Sequence, residues 1–192
     1  MKKDLIIILI IIAVLAFFIS GAKIQSVDDY YLTNLEAVTE DSETVFLSIE
    51  CSAVFDNWND LDINLRDEKY VPANGIILPE TEYVLRKGDT VFNILDRAIR
   101  HNKIHMACEY SYQKSSVYVK GINQLFEFSC GPLSGWVFYV NGVFANYGSS
   151  AYKLKNGDVI EWKFTCDLGA AVRLGERVQP FRMQVLCLPV KK

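Results

Sequence analysis

The dipeptide Asn141-Gly142 sits between two alternating apolar runs and constrains this chain more than any other pair. Both central positions of a two-residue type I′ hairpin need positive φ, which Asn and Gly tolerate. Trp136-Val137-Phe138-Tyr139-Val140 therefore reads as one strand and Val143 to Asn146 as its return. A second turn at Asn156-Gly157-Asp158 launches a further strand, Val159 to Thr165. Strand alternation sends Trp136, Phe138 and Val140 to one face and Val137 and Tyr139 to the other. No acid, base or nucleophile stands out in this stretch. It reads as a scaffold with an aromatic face, which favours binding over catalysis.

The N-terminus bears on the compartment. Lys2-Lys3 precede an apolar run from Leu5 to Ile19. As a helix that run spans roughly 22 Å, short of a bilayer core until Ser20-Gly21-Ala22 are added. Two readings stand: a retained membrane anchor, and a signal peptide cut after Ala22. The length of the apolar run favours the anchor. In both readings Lys2-Lys3 stay inside and the rest is exported. The expected organisation is an anchor or signal at 1–22, an acidic stalk at 23–43, one folded domain at 44–169, and a tail or extra edge strand at 170–192. A formal net charge of −3 without a basic stripe argues against nucleic acid as a partner.

Within the domain, Val45, Leu47, Ile49 and Cys51 alternate with polar neighbours, the pattern of a half-buried strand. Asp56 to Asn74 is polar and reads as a solvated loop; its carboxylates lack the spacing of a calcium loop. Ile76 to Pro79 is a short apolar piece, and Glu82 to Lys87 a strand. Asp89 or Thr90 can cap a helix. Val91, Ile94, Leu95, Ala98 and Ile99 form its apolar face, with Asp96, Arg97 and Arg100 opposite. His101 and His105 are four apart, but Asn102-Lys103 reads as the helix end, so they make a poor ligand pair. Ile104 to Tyr112, Val117 to Lys120 and Leu125 to Phe128 are the next strands, and Phe181 to Leu188 a final edge strand or tail. Two strands, one helix and several strands make an α+β layout, satisfied by a β-grasp-like sheet with one packed helix.

Five cysteines are present, Cys51, Cys108, Cys130, Cys166 and Cys187. An odd count leaves at least one free or paired between chains. No Cys-x-x-Cys spacing exists, so zinc is not expected.

The motifs G-W-V-F-Y-V-N-G (135–142), N-Y-G-S-S-A-Y-K-L-K-N-G-D-V-I-E-W (146–162), T-C-D-L-G (165–169) and R-K-G-D-T-V-F-N-I-L (86–95) resemble the transcobalamin-like C-terminal domain. Small exported or surface proteins of Gram-positive bacteria carry this domain. The resemblance covers about Thr44 to Gly169 and implies a β-grasp-like fold. In animal cobalamin carriers the corresponding domain closes over one face of the corrinoid; their large helical domain has no counterpart in this sequence. Many bacterial relatives carry Cys where Ser149 stands. If the first and last strands are neighbours, as the fold implies, Cys51 can pair with Cys166, leaving Cys108 and Cys130 as the second pair.

Three functions are open to such a chain. The first is a membrane-anchored extracellular module that binds a corrinoid (cobalamin-like) or other flat organic ligand, through Trp136, Tyr139, Phe144, Asn146 and Tyr147. The second is a structural or protein-interaction module of an envelope or transporter complex, using the same aromatics and the edge strand at 181–188. The third is an enzyme, which the sequence does not favour: it has no G-x-S-x-G, H-E-x-x-H or phosphate loop. No cofactor is expected beyond a corrinoid as ligand.

Overall fold

The computed structural model of the chain describes residues 36–112, 115–145 and 147–167, with Ile6 and Ile10. Apart from those two isoleucines, the expected anchor lies outside the described residues. So do residues 23–35 of the stalk, the 170–192 segment with Cys187, and Asn146. Among the described residues no helix is long and apolar enough to cross a membrane.

The fold is mixed α+β, mostly sheet, with one main helix. Strand β1 (Thr44–Glu50) buries Val45, Leu47 and Ile49 and half-exposes the residues between them. It leads into a single helical turn, α1 (Ala53–Asp56), and a loop with one 3-10 turn at Ile63–Leu65. The loop is tied down by side chains. Arg66 donates to the carbonyls of Leu61 at 2.9 Å and Asn59 at 3.0 Å, and Asn123 Nδ2 donates to Tyr70 O at 3.0 Å.

Strand β2 (Ile76–Val84) then returns antiparallel to β1. The sequence reads as two pieces around Pro79, yet the strand is continuous. It lies at the sheet edge, where a missing N–H is tolerated. Register shifts opposite Ile49 absorb the irregularity.

Helix α2 (Val91–Asn102) starts at Thr90, whose Oγ1 accepts from Asn93 N at 3.4 Å while Thr90 N donates to Asn93 Oδ1 at 3.0 Å. This reciprocal cap satisfies two amides that otherwise have no helical partner. Lys103, in the left-handed region at φ 55°, ends the helix. Asp89 does other work. Its Oδ2 accepts from buried Arg97 at 2.7 Å and from Arg86 N at 2.8 Å, and Arg97 also donates to Val84 O at 2.8 Å. Arg97 is thus inside, not on the polar face where periodicity sets it, because a carboxylate and a carbonyl meet its charge there.

The chain next forms a small antiparallel sheet of β3 (Met106–Ser111), β4 (Ser116–Ile122) and β5 (Leu125–Phe126). It closes with β6 (Gly135–Val140), β7 (Val143–Phe144) and β8 (Val159–Thr165). The larger sheet has the order β2-β1-β8-β6-β7, with β1 and β8 parallel and the other neighbours antiparallel. Asn141 and Gly142 have φ of 54° and 76°, the sign a type I′ turn requires. Asn141 also joins the two turns, with Oδ1 accepting from Val159 N and Nδ2 donating to Asp158 Oδ1, both at 2.9 Å.

Register aligns the core. Leu47 pairs with Ile160, Ile49 with Trp162, Trp162 with Phe138, and Phe164 with Trp136. These side chains share one sheet face and join the buried face of α2 in one apolar cluster. Strand directions define two ends. At the turn end β1 and β8 begin and β6 finishes; at the loop end β1 and β8 finish and β6 begins.

Candidate ligand-facing site

The five aromatic and polar residues expected to meet a ligand fall in different places. Trp136 is buried, 8% exposed. Its Nε1 donates to Leu125 O at 2.7 Å and its ring meets Phe164 edge-on at 5.3 Å. Its one polar atom is satisfied inside the protein, so its role is to join the small sheet to the large one. That corrects the expectation of an open Trp136. Tyr139 and Phe144 come together on the opposite sheet face, ring centroids 5.6 Å apart. Lys163 Nζ stands 5.4 Å from the Tyr139 ring and pairs with Glu161 at 2.9 Å and Glu50 at 3.2 Å. Tyr139 is only 2% exposed, so this patch is closed in the structure. Asn146 lies outside the described residues.

Tyr147 differs from the others: it is 71% exposed and held from behind. Its ring lies 6.2 Å from that of Tyr152, which lies 6.2 Å from Phe138, which lies 5.1 Å from Trp162. A ladder of rings therefore runs from the core to an open tyrosine. Such pairs favour offset or edge-on geometry, as here, and add about 0.5–1.5 kcal/mol each beyond burial. The outermost ring is thus presented on a packed base.

The loop after Tyr147 is also docked. Ser150 Oγ accepts from Val117 N at 2.9 Å and lies 3.1 Å from Ser116 Oγ, while Ser149 Oγ donates to Val117 O at 3.3 Å. Val91 and Phe92 at the start of α2 donate to the carbonyls of Tyr152 and Ser149. A side chain at Gly148 would collide with Ser116, so glycine is what lets the β3–β4 tip approach. That tip carries Tyr110 and Tyr112, edge-on at 5.1 Å, with Tyr112 87% exposed. Three open tyrosines therefore stand on two segments hydrogen-bonded to each other. Tyr110 and Tyr112 escaped sequence reasoning. Their i, i+2 spacing signals a shared strand face, but nothing local places that strand beside Tyr147.

The cysteines are arranged differently from the expected pairs. Cys166 Sγ lies 2.8 Å from Cys130 Sγ. Cys51 is fully buried, and burial, then the Glu50 charge, push its thiol up to about 12. Cys108 is exposed on β3, near the charges of Asp96 and Arg100 on α2. Parallel pairing of β1 with β8 brings Cys51 and Cys166 to the same end, but Cys130 supplies the sulfur that faces Cys166. The two histidines are also separated, since α2 ends between them and the His105 ring lies 6.1 Å from Phe126. Among the described residues no group of three or more His, Cys, Asp or Glu is placed to hold a metal ion.

The fold and the open tyrosines define a mixed α+β domain with a candidate binding surface on its loops. A model of a domain of unknown function, DUF4430, matches residues 88–166, from the cap of α2 to the end of β8. No curated protein matches the chain. Among solved structures the chain is similar to haptocorrin in complex with Cbi, at 14% identity and a TM-score of 0.44. That likeness covers 68% of this chain and 26% of haptocorrin, so the chain spans about a quarter of its length. It is also similar to a protein from Ruminococcus gnavus ATCC 29149 to which metal binding has been ascribed, at 8% identity and a TM-score of 0.36. There the likeness covers 64% of this chain and 96% of the other.

Proposed function

We propose that this protein is a binding module whose transcobalamin-like, β-grasp-like domain takes a flat organic ligand, with a corrinoid as the first candidate, on the surface around Tyr147. The observation that carries this reading is the ring ladder: an open tyrosine backed by Tyr152, Phe138 and Trp162. A solvent-exposed ring normally has conformational freedom to lose when it stacks on a ligand. Here packing has already removed much of that freedom, which reduces the cost of binding. Tyr110 and Tyr112 extend the same surface. The sequence motifs at 135–142 and 146–162, which carry Phe138, Tyr147 and Tyr152, support the corrinoid among flat ligands. The strand order β2-β1-β8-β6-β7, with its parallel β1–β8 pair, supports the β-grasp-like description.

The domain would stand outside the cell on the apolar segment at 1–22, with Lys2-Lys3 inside. Catalysis is not part of the proposal. The thiols of Cys51, Cys130 and Cys166 are shifted upward, first by burial, which opposes a thiolate nucleophile at neutral pH.

The test is a titration of the full chain with cobalamin and with cobinamide, read by the corrinoid spectrum and by calorimetry. Binding should be saturable and weakened about tenfold by Tyr147→Ala, a loss of about 1.4 kcal/mol. A spectrum unchanged at saturating corrinoid would sink the corrinoid reading.

A second reading, a protein-interaction module in an envelope or transporter complex, is favoured by the loop end. There Phe55 and Trp58 stack at 6.3 Å, both open to solvent, and Ile63 is 75% exposed on the same loop. Cross-linking from membranes through Trp58, with Tyr147 unaffected, would favour it over the first.

A further inference from the structure

We infer that Cys130 and Cys166 form a disulfide that staples the strand-delivering loop before β6 to the end of β8.

The two residues flank the last rung of a ladder, because Gly135 pairs with Thr165. Cys166 directly follows Thr165. Cys130 opens the tight loop that returns to Gly135, and that loop is held rigidly. Ser134 N and Oγ both donate to Gly131 O, at 3.1 and 2.9 Å, and Cys130 N donates to Ser134 Oγ at 2.9 Å. Leu61 and Cys130 also form an antiparallel bridge. The backbone on both sides is thus fixed by hydrogen bonds that do not involve sulfur. It sets the two Sγ atoms 2.8 Å apart, inside the separation that two unbonded sulfurs prefer and approaching the bond of about 2.05 Å.

Oxidation strands no acceptor. The reduced thiols contact Asn57 O at 3.5 Å and Ala53 O at 3.8 Å. Asn57 O keeps the Asp60 amide as donor, and Ala53 O keeps Asn57 Nδ2 at 2.9 Å. The reduced state, by contrast, holds a buried thiol and a half-buried one against each other.

The reaction is thiol–disulfide exchange with an external disulfide, of a thiol oxidoreductase or a small molecule. One cysteine loses its proton and attacks a sulfur of R–S–S–R, releasing one RSH. The second cysteine then displaces the other RSH from the mixed disulfide. Cys130 and Cys166 are oxidised by two electrons, the external disulfide is reduced, and two RSH leave with both protons. The covalent loop so closed holds β6, β7, the Tyr147 segment and β8. Closing it restricts the unfolded chain more than the folded one.

The test uses the full chain incubated with oxidised glutathione, then alkylated and digested with trypsin. The inference expects one linked species joining peptide 121–153 to peptide 164–173, which reductant separates. It also expects reduction to lower the melting temperature by about 10 °C. Cys130→Ser and Cys166→Ser should each abolish the response to reductant, while Cys51→Ser and Cys108→Ser keep it. Alkylation of both Cys130 and Cys166 after oxidation overturns the inference, and so does a link from Cys166 to the peptide carrying Cys51. The peptide readout on the unmodified protein decides the matter even if a variant does not fold.

Discussion

The turn end and the loop end of the sheet perform the same task, joining strands, by different means. At the turn end the connections are short and their chemistry is local. Asn141-Gly142 supplies positive φ, Asn141 Nδ2 donates to Asp158 Oδ1, and Asn156 Oδ1 accepts from Thr44 N at 2.8 Å. At the loop end the connections are long, and each is held by a residue far away in sequence: Asn123 on Tyr70, Leu61 against Cys130, Cys130 beside Cys166. The connection from β7 to β8 is of the second kind, since Ser149 and Ser150 tie it to Val117 on β4, and it holds Tyr147 open to solvent in front of Tyr152.

The comparison can be broken at its strongest point first. The turn end also rests on one buried ion pair, Asp89 with Arg97. Asp89→Ala leaves Arg97 buried without its counter-charge and should cost about 3–5 kcal/mol in urea unfolding. A double change with Arg97→Met should recover most of that. A single change costing under about 1 kcal/mol would show that the pair does not anchor this end.

The next largest effect compares two tryptophans of the same core. Trp136 donates to Leu125 O, whereas Trp162 Nε1 has no hydrogen-bond partner among the described residues. Trp136→Phe should therefore be more destabilising than Trp162→Phe, by about 1–3 kcal/mol, since it leaves a buried carbonyl unpaired. Equal losses in chemical denaturation would mean that volume alone decides.

The loop end also predicts a pH dependence. The folded-state thiol of Cys51 is raised from 9.0 to about 12. Below pH 9 it is protonated in both states and contributes no slope. Above pH 9 the unfolded chain releases a proton that the folded chain retains, so stability falls as pH rises. Between pH 9 and 10 the wild type should lose about 1 kcal/mol more than Cys51→Ala. Parallel curves for the two proteins would contradict that burial.

The smallest effect is at the helix cap. Thr90 Oγ1 receives Asn93 N at 3.4 Å, a long bond, so Thr90→Ala should cost only about 0.5 kcal/mol. Thermal melts of the variant and its parent measure it.

Much of the fold was legible because its signals are local. The I′ turn, the β8 boundaries, the extent of α2 and the common face of Trp136, Phe138 and Val140 follow from residues within a few positions of each other. The candidate site was only partly legible. Tyr147 was named on the strength of its glycine-flanked loop, and it is open. Trp136 was named for the same reason and is closed, because β5 supplies a carbonyl to its indole from eleven residues away. Pro79 read as a strand end, yet an edge position lets β2 continue through it.

What the sequence determined by itself is the main helix, most of the strands and the alternation of side chains along each, since backbone φ preferences and side-chain period act residue by residue. What the tertiary structure decided is which elements meet. It put Arg97 in the core by bringing Asp89 to it. It set Ser150 on β4 so that the segments carrying Tyr110, Tyr112 and Tyr147 adjoin. It faced Cys166 with Cys130 in place of Cys51. Each of these is a contact between residues brought together by chain reversal, where the deciding quantity is the position of a partner and not the propensity of the residue.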